Sequence, residues 1–135
     1  MKPFETQFKA ISDKVAWRAF QNLIECFNFN DEEAKILIGN IPQSKLRGLN
    51  EHECKLNRDQ KERISYLLGI YKNLLTLFTD RAQAFTWIER ENQLPPFNGM
   101  TPKQYLLEGS MIRLANVRRF LDAFGNTSNN ESILR

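Results

Sequence analysis

The residues of this chain whose types could carry chemistry are few and scattered. His52, Glu53 and Cys54 stand side by side, but one run of two soft ligands falls short of the four donors of a tetrahedral site. A solvated loop histidine is the simpler reading. Cys26 and Cys54 are too few for a disulfide scaffold and lack metal spacing, so both read as free, buried thiols. Asp31, Glu32 and Glu33 form a carboxylate cluster that could suggest a metal or acid–base pair. They directly follow Asn30, a good N-cap, and anions are favoured in a first helical turn. With a single histidine, Ser-His-Asp and Cys-His arrangements have no base with a partner set by spacing. There is no Gly-rich phosphate loop, no HExxH and no CxxC pair. The chain therefore does not read as an enzyme, and no catalytic group, metal or cofactor is expected.

Binding chemistry is better represented. Gln43, Ser44, Lys45 and Arg47 are side chains of the types that reach base edges and phosphates in a major groove. They follow a helical stretch over 31–38, a stop at Gly39 and a short turn, with Pro42 suited to open a second short helix. That is the layout of a helix-turn-helix. Residues 1–56 carry eight Lys/Arg against eight Asp/Glu, whereas residues 57–135 carry eleven against eight and account for the whole net charge of +3. Glu51 and Glu53 would repel phosphate. Any nucleic-acid contact must rest on a local patch, not on an overall basic field.

The elements that must position these groups are all helical. Ile64, Leu67, Leu68, Tyr71, Leu74, Leu75 and Phe78 recur at steps of three and four, which predicts one long amphipathic helix over 57–78. Asn57 and Gln60 make a capping box at its start. Arg58, Lys61, Glu62, Arg63 and Lys72 fill its wet side. Gly69 lies inside it at a cost of about 1 kcal/mol relative to Ala, which implies a close approach of another helix or a slight bend. Before it, Phe8, Ile11, Val15, Ala19, Phe20, Leu23, Ile24 and Phe27 predict one or two helices over 4–29, with Trp17 beside them. After it, Asp80 or Thr79 caps a helix holding Ala82, Ala84, Phe85, Trp87 and Ile88. Pro95 and Pro96 end that pattern, and 97–99 is a turn with an aromatic anchor. Thr101-Pro102-Lys103-Gln104 repeats the start signal, and its short helix ends at Gly109. Ser110 then caps a last helix with Met111, Leu114, Val117, Leu121 and Phe124 on one face. Strand-type alternation is missing throughout, so the fold class is all-α. No apolar run approaches the roughly 18–20 residues needed to cross a bilayer, and the start has no apolar signal core. A cytoplasmic protein follows as the expectation.

One stretch carries a resemblance. Leu56-x-x-Asp59-x-x-x-Arg63-Ile64-Ser65-x-Leu67-Leu68-Gly69-Ile70-Tyr71-Lys72-x-Leu74-x-x-Leu77-Phe78 resembles the opening of the toxin-binding domain of the Xre/MbcA/ParS antitoxins. Trp87, Asn92, Phe97-x-Gly99-x-Thr101-Pro102, Leu106-Leu107-x-Gly109 and Leu114-x-x-Val117-Arg118-Arg119-x-Leu121-Asp122-Ala123 continue it in consistent order. Glu33-Ala34, Ile36-Leu37-Ile38-Gly39 and Ile41 resemble the degenerate helix-turn-helix that precedes this domain in the family. The resemblance implies three segments: a helix-turn-helix-like part over 1–55, a toxin-binding domain over 56–125, and a flexible tail over 126–135. It implies an antitoxin of a type II system, cytoplasmic and homodimeric, that sterically blocks a RES-type (NAD-consuming) or ADP-ribosylating toxin and can bind operator DNA to repress its own operon. Toxin-facing candidates are Arg113, Arg118, Arg119, Asp122 and Phe124, while Gln43, Ser44, Lys45 and Arg47 would face DNA. Each candidate on the last helix also has a plainer reading: Arg118 and Asp122 as an i,i+4 pair, Arg113 and Arg119 as solvated face, Phe124 as core. Pro42 and Gly48 shorten the recognition helix, and Leu49 stands where the family carries an aromatic. The alternative reading is a stand-alone DNA-binding regulator.

Overall fold

A computed structural model describes residues 12–39, 41 and 55–125. Among them every regular element is a helix. In chain order these are α1 (Asp13–Cys26), α2 (Asp31–Ile38), α3 (Arg58–Leu77), α4 (Arg81–Thr86) with a 3-10 turn (Trp87–Glu89), α5 (Pro102–Leu106) and α6 (Met111–Gly125). The protein is all-α, as the periodicity predicts. The candidates Gln43, Ser44, Lys45 and Arg47 lie outside the described residues, as do Phe8, Ile11, His52, Cys54 and the segment 126–135. No described helix is long and apolar enough to cross a membrane.

The chain forms two compact units, Met1–Leu68 and Gly69–Arg135, and the division falls inside α3. In the first unit, Ser12 starts α1 by accepting the amide of Val15 at 3.2 Å. Trp17, Phe20, Leu23 and Phe27 bury the inner face of α1. Val15 departs from the expected stripe: it is 48% exposed, because Ala16 and Trp17 take the inward register instead. Asn28 takes a positive φ of 59° that ends the helix, a conformation Asn tolerates better than most residues. Asn30 and Glu33 close a full capping box on α2 at 2.8 and 2.9 Å, so one of the three clustered carboxylates is accounted for by the helix start. Gly39 ends α2 with φ of 116°, which only glycine adopts without strain.

The capping box of α3 is likewise present: Asn57 Oδ1 accepts from the Gln60 amide at 2.8 Å, and Gln60 Oε1 accepts from the Asn57 amide at 3.0 Å. Its buried line is Ile64, Leu67, Ile70 and Leu74. Ile70 was not part of the expected stripe, whereas Leu68, Tyr71, Leu75 and Phe78 are only half-buried. The buried row thus keeps Ile64, Leu67 and Leu74 of the expected stripe and adds Ile70.

In the second unit, Asp80 caps α4 by accepting the Ala82 amide at 2.8 Å. The helix expected to run past Ile88 instead tightens into a 3-10 turn at Trp87, which brings both Trp87 and Ile88 to full burial. Thr101, Pro102 and Gln104 form the expected start of α5, with both capping-box bonds at 3.0 Å. Asn98 and Gly99, at φ of 49° and 100°, turn the chain under the completely buried Phe97. Phe97 is the hub of the unit's core, with the rings of Phe120, Tyr105 and Trp87 at 5.0, 5.4 and 5.9 Å, all edge-on.

Candidate functional site

The candidates on α6 divide into two groups by what they touch. Arg118 and Asp122 belong to a network that ties α6 to the start of the second unit's share of α3. Arg118 Nε lies 3.8 Å from Asp122 Oδ2, and Asp122 Oδ1 accepts from Asn73 Nδ2 at 2.8 Å. The Arg118 stem lies across Gly69: a Cβ at that position would fall 2.6 Å from Arg118 Nε and 2.7 Å from its Cδ. This is the close approach that a helix-interior glycine implies. Its cause is a side chain crossing the notch left by the missing Cβ. Arg118 is mostly buried, with 16% of its side chain exposed.

Arg113 and Arg119 belong to a second group built on Tyr105. The Arg113 guanidinium sits 4.4 Å from the Tyr105 ring centroid, donates to the Tyr105 carbonyl at 3.4 Å and faces Glu108 at 3.2 Å. Asn116 Nδ2 donates to the Tyr105 hydroxyl at 3.0 Å, and Arg119 Nη1 donates to Asn116 Oδ1 at 3.2 Å. Hydrogen bonds from Ser110 and the charge of Arg113 hold the Glu108 carboxyl below the usual carboxylate range, burial acting against them. Phe124 does not stand apart from the core. It is half-buried and meets Phe120 edge-on at 4.6 Å.

Four polar partners in these groups were not singled out by sequence reading: Asn73, Glu108, Asn116 and the hydroxyl of Tyr105. Glu108 and Arg113 are separated by a helix boundary, and Asn73 reaches a carboxylate 49 positions away. No local spacing rule relates such pairs.

In the first unit, Arg63 is not part of a plain wet face. Only 12% of its side chain is exposed, its Nε pairs with Asp59 at 2.9 Å and its Nη1 donates to the Leu37 carbonyl at 3.5 Å. The guanidinium thus sits at the C-terminal end of α2, where the dipole favours a cation. Asp13, at the start of α1, accepts Lys61 Nζ at 2.7 Å and the Leu56 amide at 3.1 Å. The Lys61 hydrogen bond is the main reason its carboxyl is held below the usual range, and the Leu56 amide adds to it against the opposing effect of burial. Cys26 is a free thiol, half-buried instead of buried. Among the described residues no three His, Cys, Asp or Glu side chains gather in a way that could hold a metal ion.

Among known proteins, the chain is similar to the uncharacterized protein y4oB of Sinorhizobium fredii. The two are 30% identical over 105 residues, which cover 78% of this chain and 80% of that one. No family model matches the chain, and no solved structure matches it significantly.

Proposed function

We propose that this chain, which belongs to the same family as protein y4oB of Sinorhizobium fredii, is the antitoxin of a type II toxin–antitoxin pair. It binds a RES-type or ADP-ribosylating toxin through residues 56–125 and neutralises it by covering its active site, with no chemical step of its own.

The observation that carries this reading is the contact between Gly69 and Arg118. The two stretches that most resemble the Xre/MbcA/ParS domain are Leu67-Leu68-Gly69-Ile70-Tyr71-Lys72 and Leu114-x-x-Val117-Arg118-Arg119-x-Leu121-Asp122-Ala123. They are far apart in sequence, and their shared glycine and arginine pack against each other. A signature whose distant parts explain one another's side chains is harder to reach by chance than a list of matched letters. The fold class agrees with the resemblance, being helical throughout the described residues.

The test is co-expression with the product of the adjacent gene. The expected outcome is rescue of growth and a complex that co-purifies. Failure of both sinks the reading. A chain that neutralises nothing but shifts its own promoter DNA at low salt, with the shift weakened by Lys45→Ala and Arg47→Ala, is a regulator instead.

A further inference from the structure

Asn98-Gly99 is the chain's one Asn-Gly step, and it lies in the loop between the 3-10 turn and α5. An Asn-Gly step can react with itself. The glycine amide nitrogen attacks the asparagine Cγ and an N–Cγ bond forms. The side-chain nitrogen takes up the amide proton and departs as ammonia. Water then opens the cyclic imide at either carbonyl, giving aspartate or β-linked isoaspartate. A following glycine favours the step because no Cβ hinders its nitrogen. Water is the one co-reactant, and Asn98 is exposed to it.

The fold decides when this step can occur. Asn98 and Gly99, at φ of 49° and 100°, are the central pair of a turn closed by the Met100 amide, which donates to the Phe97 carbonyl at 3.0 Å. Positive φ at both positions makes it a type I′ turn, for which Asn-Gly and Asp-Gly are preferred sequences. The nucleophile is engaged, since the Gly99 N–H donates to the Asn92 carbonyl at 2.8 Å. The Asn92 amide in turn donates to the Met100 carbonyl at 3.1 Å, so two bonds tie the loop across its neck. The electrophile is engaged as well: Asn98 Nδ2 donates to the Pro96 carbonyl at 3.4 Å. Phe97, the residue that opens the turn, is completely buried and anchors it.

We infer that Asn98 is a deamidation site kept closed by its own loop, reacting only from chains in which the Gly99–Asn92 bond has opened. Aspartate at this position keeps the main chain as it is and fits a type I′ turn. Isoaspartate adds a methylene to the main chain, in a turn whose closing bond is set for two central residues of ordinary length. Phe97 then loses the geometry that buries its ring. The reaction is thus a one-way exit of the second unit from its folded state. It needs no partner, and it is independent of the antitoxin reading.

The experiment incubates the full chain at neutral pH, folded in buffer and unfolded in urea, and follows the tryptic peptide over 91–103 by mass. Replacement of the amide by a carboxyl adds about one mass unit. The folded chain is expected to react at Asn98 at least about tenfold more slowly than the unfolded one, because only the open fraction reacts. Phe97→Ala, which loosens the anchor, is expected to move the rate in buffer towards the unfolded one. Asn98→Asp is expected to melt with wild-type protein, and the isoaspartate fraction below it. Equal rates in the folded and unfolded chains overturn the inference, as does a Phe97→Ala rate no faster than wild type. Reaction of the unfolded chain at Asn92, in the same peptide, at the pace of Asn98 removes the assignment to the Asn-Gly step. An isoaspartate fraction that melts with Asn98→Asp overturns its exclusion from the turn.

Discussion

Both units bury an apolar core, and they differ in the contacts that are added to it. In the first, the contacts that span long stretches of sequence are charged groups placed at helix ends. Asp13 joins the start of α1 to Lys61 and to the Leu56 amide, and Arg63 sits at the end of α2. In the second, packed rings around Phe97 and a glycine notch filled by an arginine stem stand beside the Asn73–Asp122 hydrogen bond. Contacts of the first kind depend on ionisation and on salt. Contacts of the second kind depend on shape, and respond to single-atom changes in volume. The two units are thus expected to answer different perturbations.

Each unit carries one buried tryptophan, Trp17 in the first and Trp87 in the second, so the contrast can be read separately. The largest effect is expected from Phe97→Ala. Removing a completely buried ring should cost the second unit about 3–5 kcal/mol. Urea titrations of single-tryptophan variants should show an early transition in Trp87 fluorescence. An equal shift of both signals would show that the division into units has no energetic counterpart.

A smaller effect is expected from Asp13→Asn, which removes the charge that Lys61 pairs with and should cost the first unit about 1 kcal/mol near neutral pH, since the pair is partly exposed. The sign of its pH dependence follows from the lowered folded value. The Asp13 contribution is fully present above the ordinary Asp value of about 3.9 and disappears as pH falls through the lower folded one. Acid titration of Trp17 fluorescence should therefore show a step in wild-type protein that is reduced in Asp13→Asn. An unchanged step would assign it to other carboxylates.

The smallest net effect, and the sharpest test of the notch, is Gly69→Ala. The added Cβ gains about 1 kcal/mol of helix propensity but displaces the Arg118 stem and its contact with Asp122, so the two nearly cancel. With Arg118→Ala already in place the clash is gone, and Gly69→Ala should stabilise by about 1 kcal/mol. Thermal melts of the four proteins of this cycle decide the matter. Additivity would mean that Arg118 does not occupy the notch.

Much of the fold was legible in the residues and rather less of the site. The starts of α2, α3, α4 and α5 and the stop of α2 could be read directly, because a cap is a bond between residues two to four positions apart and needs no knowledge of the remaining chain. Gly69 could be read as a close approach, since a glycine inside a long helix costs stability and calls for a reason. What crossed the notch could not be read, and neither could the burial of Arg63, the exposure of Val15, or the attachment of Asn116 to Tyr105. Helical spacing places a residue on a face, but a small rotation of the helix decides which edge of that face is wet. That rotation is how Ile70 came inside and Val15 went out.

The sequence by itself determined the secondary-structure class, most helix starts and the absence of strand patterning, because each of these is set by interactions within one turn of the chain. Only the tertiary structure decided that Arg118 is mostly buried over Gly69 and that Asp122 is bonded to Asn73, while Arg119 is exposed. Those assignments depend on which distant groups the packed helices bring into reach, such as Asn73 for Asp122. A charged side chain with several possible neighbours takes the one that the fold delivers with least loss of solvation.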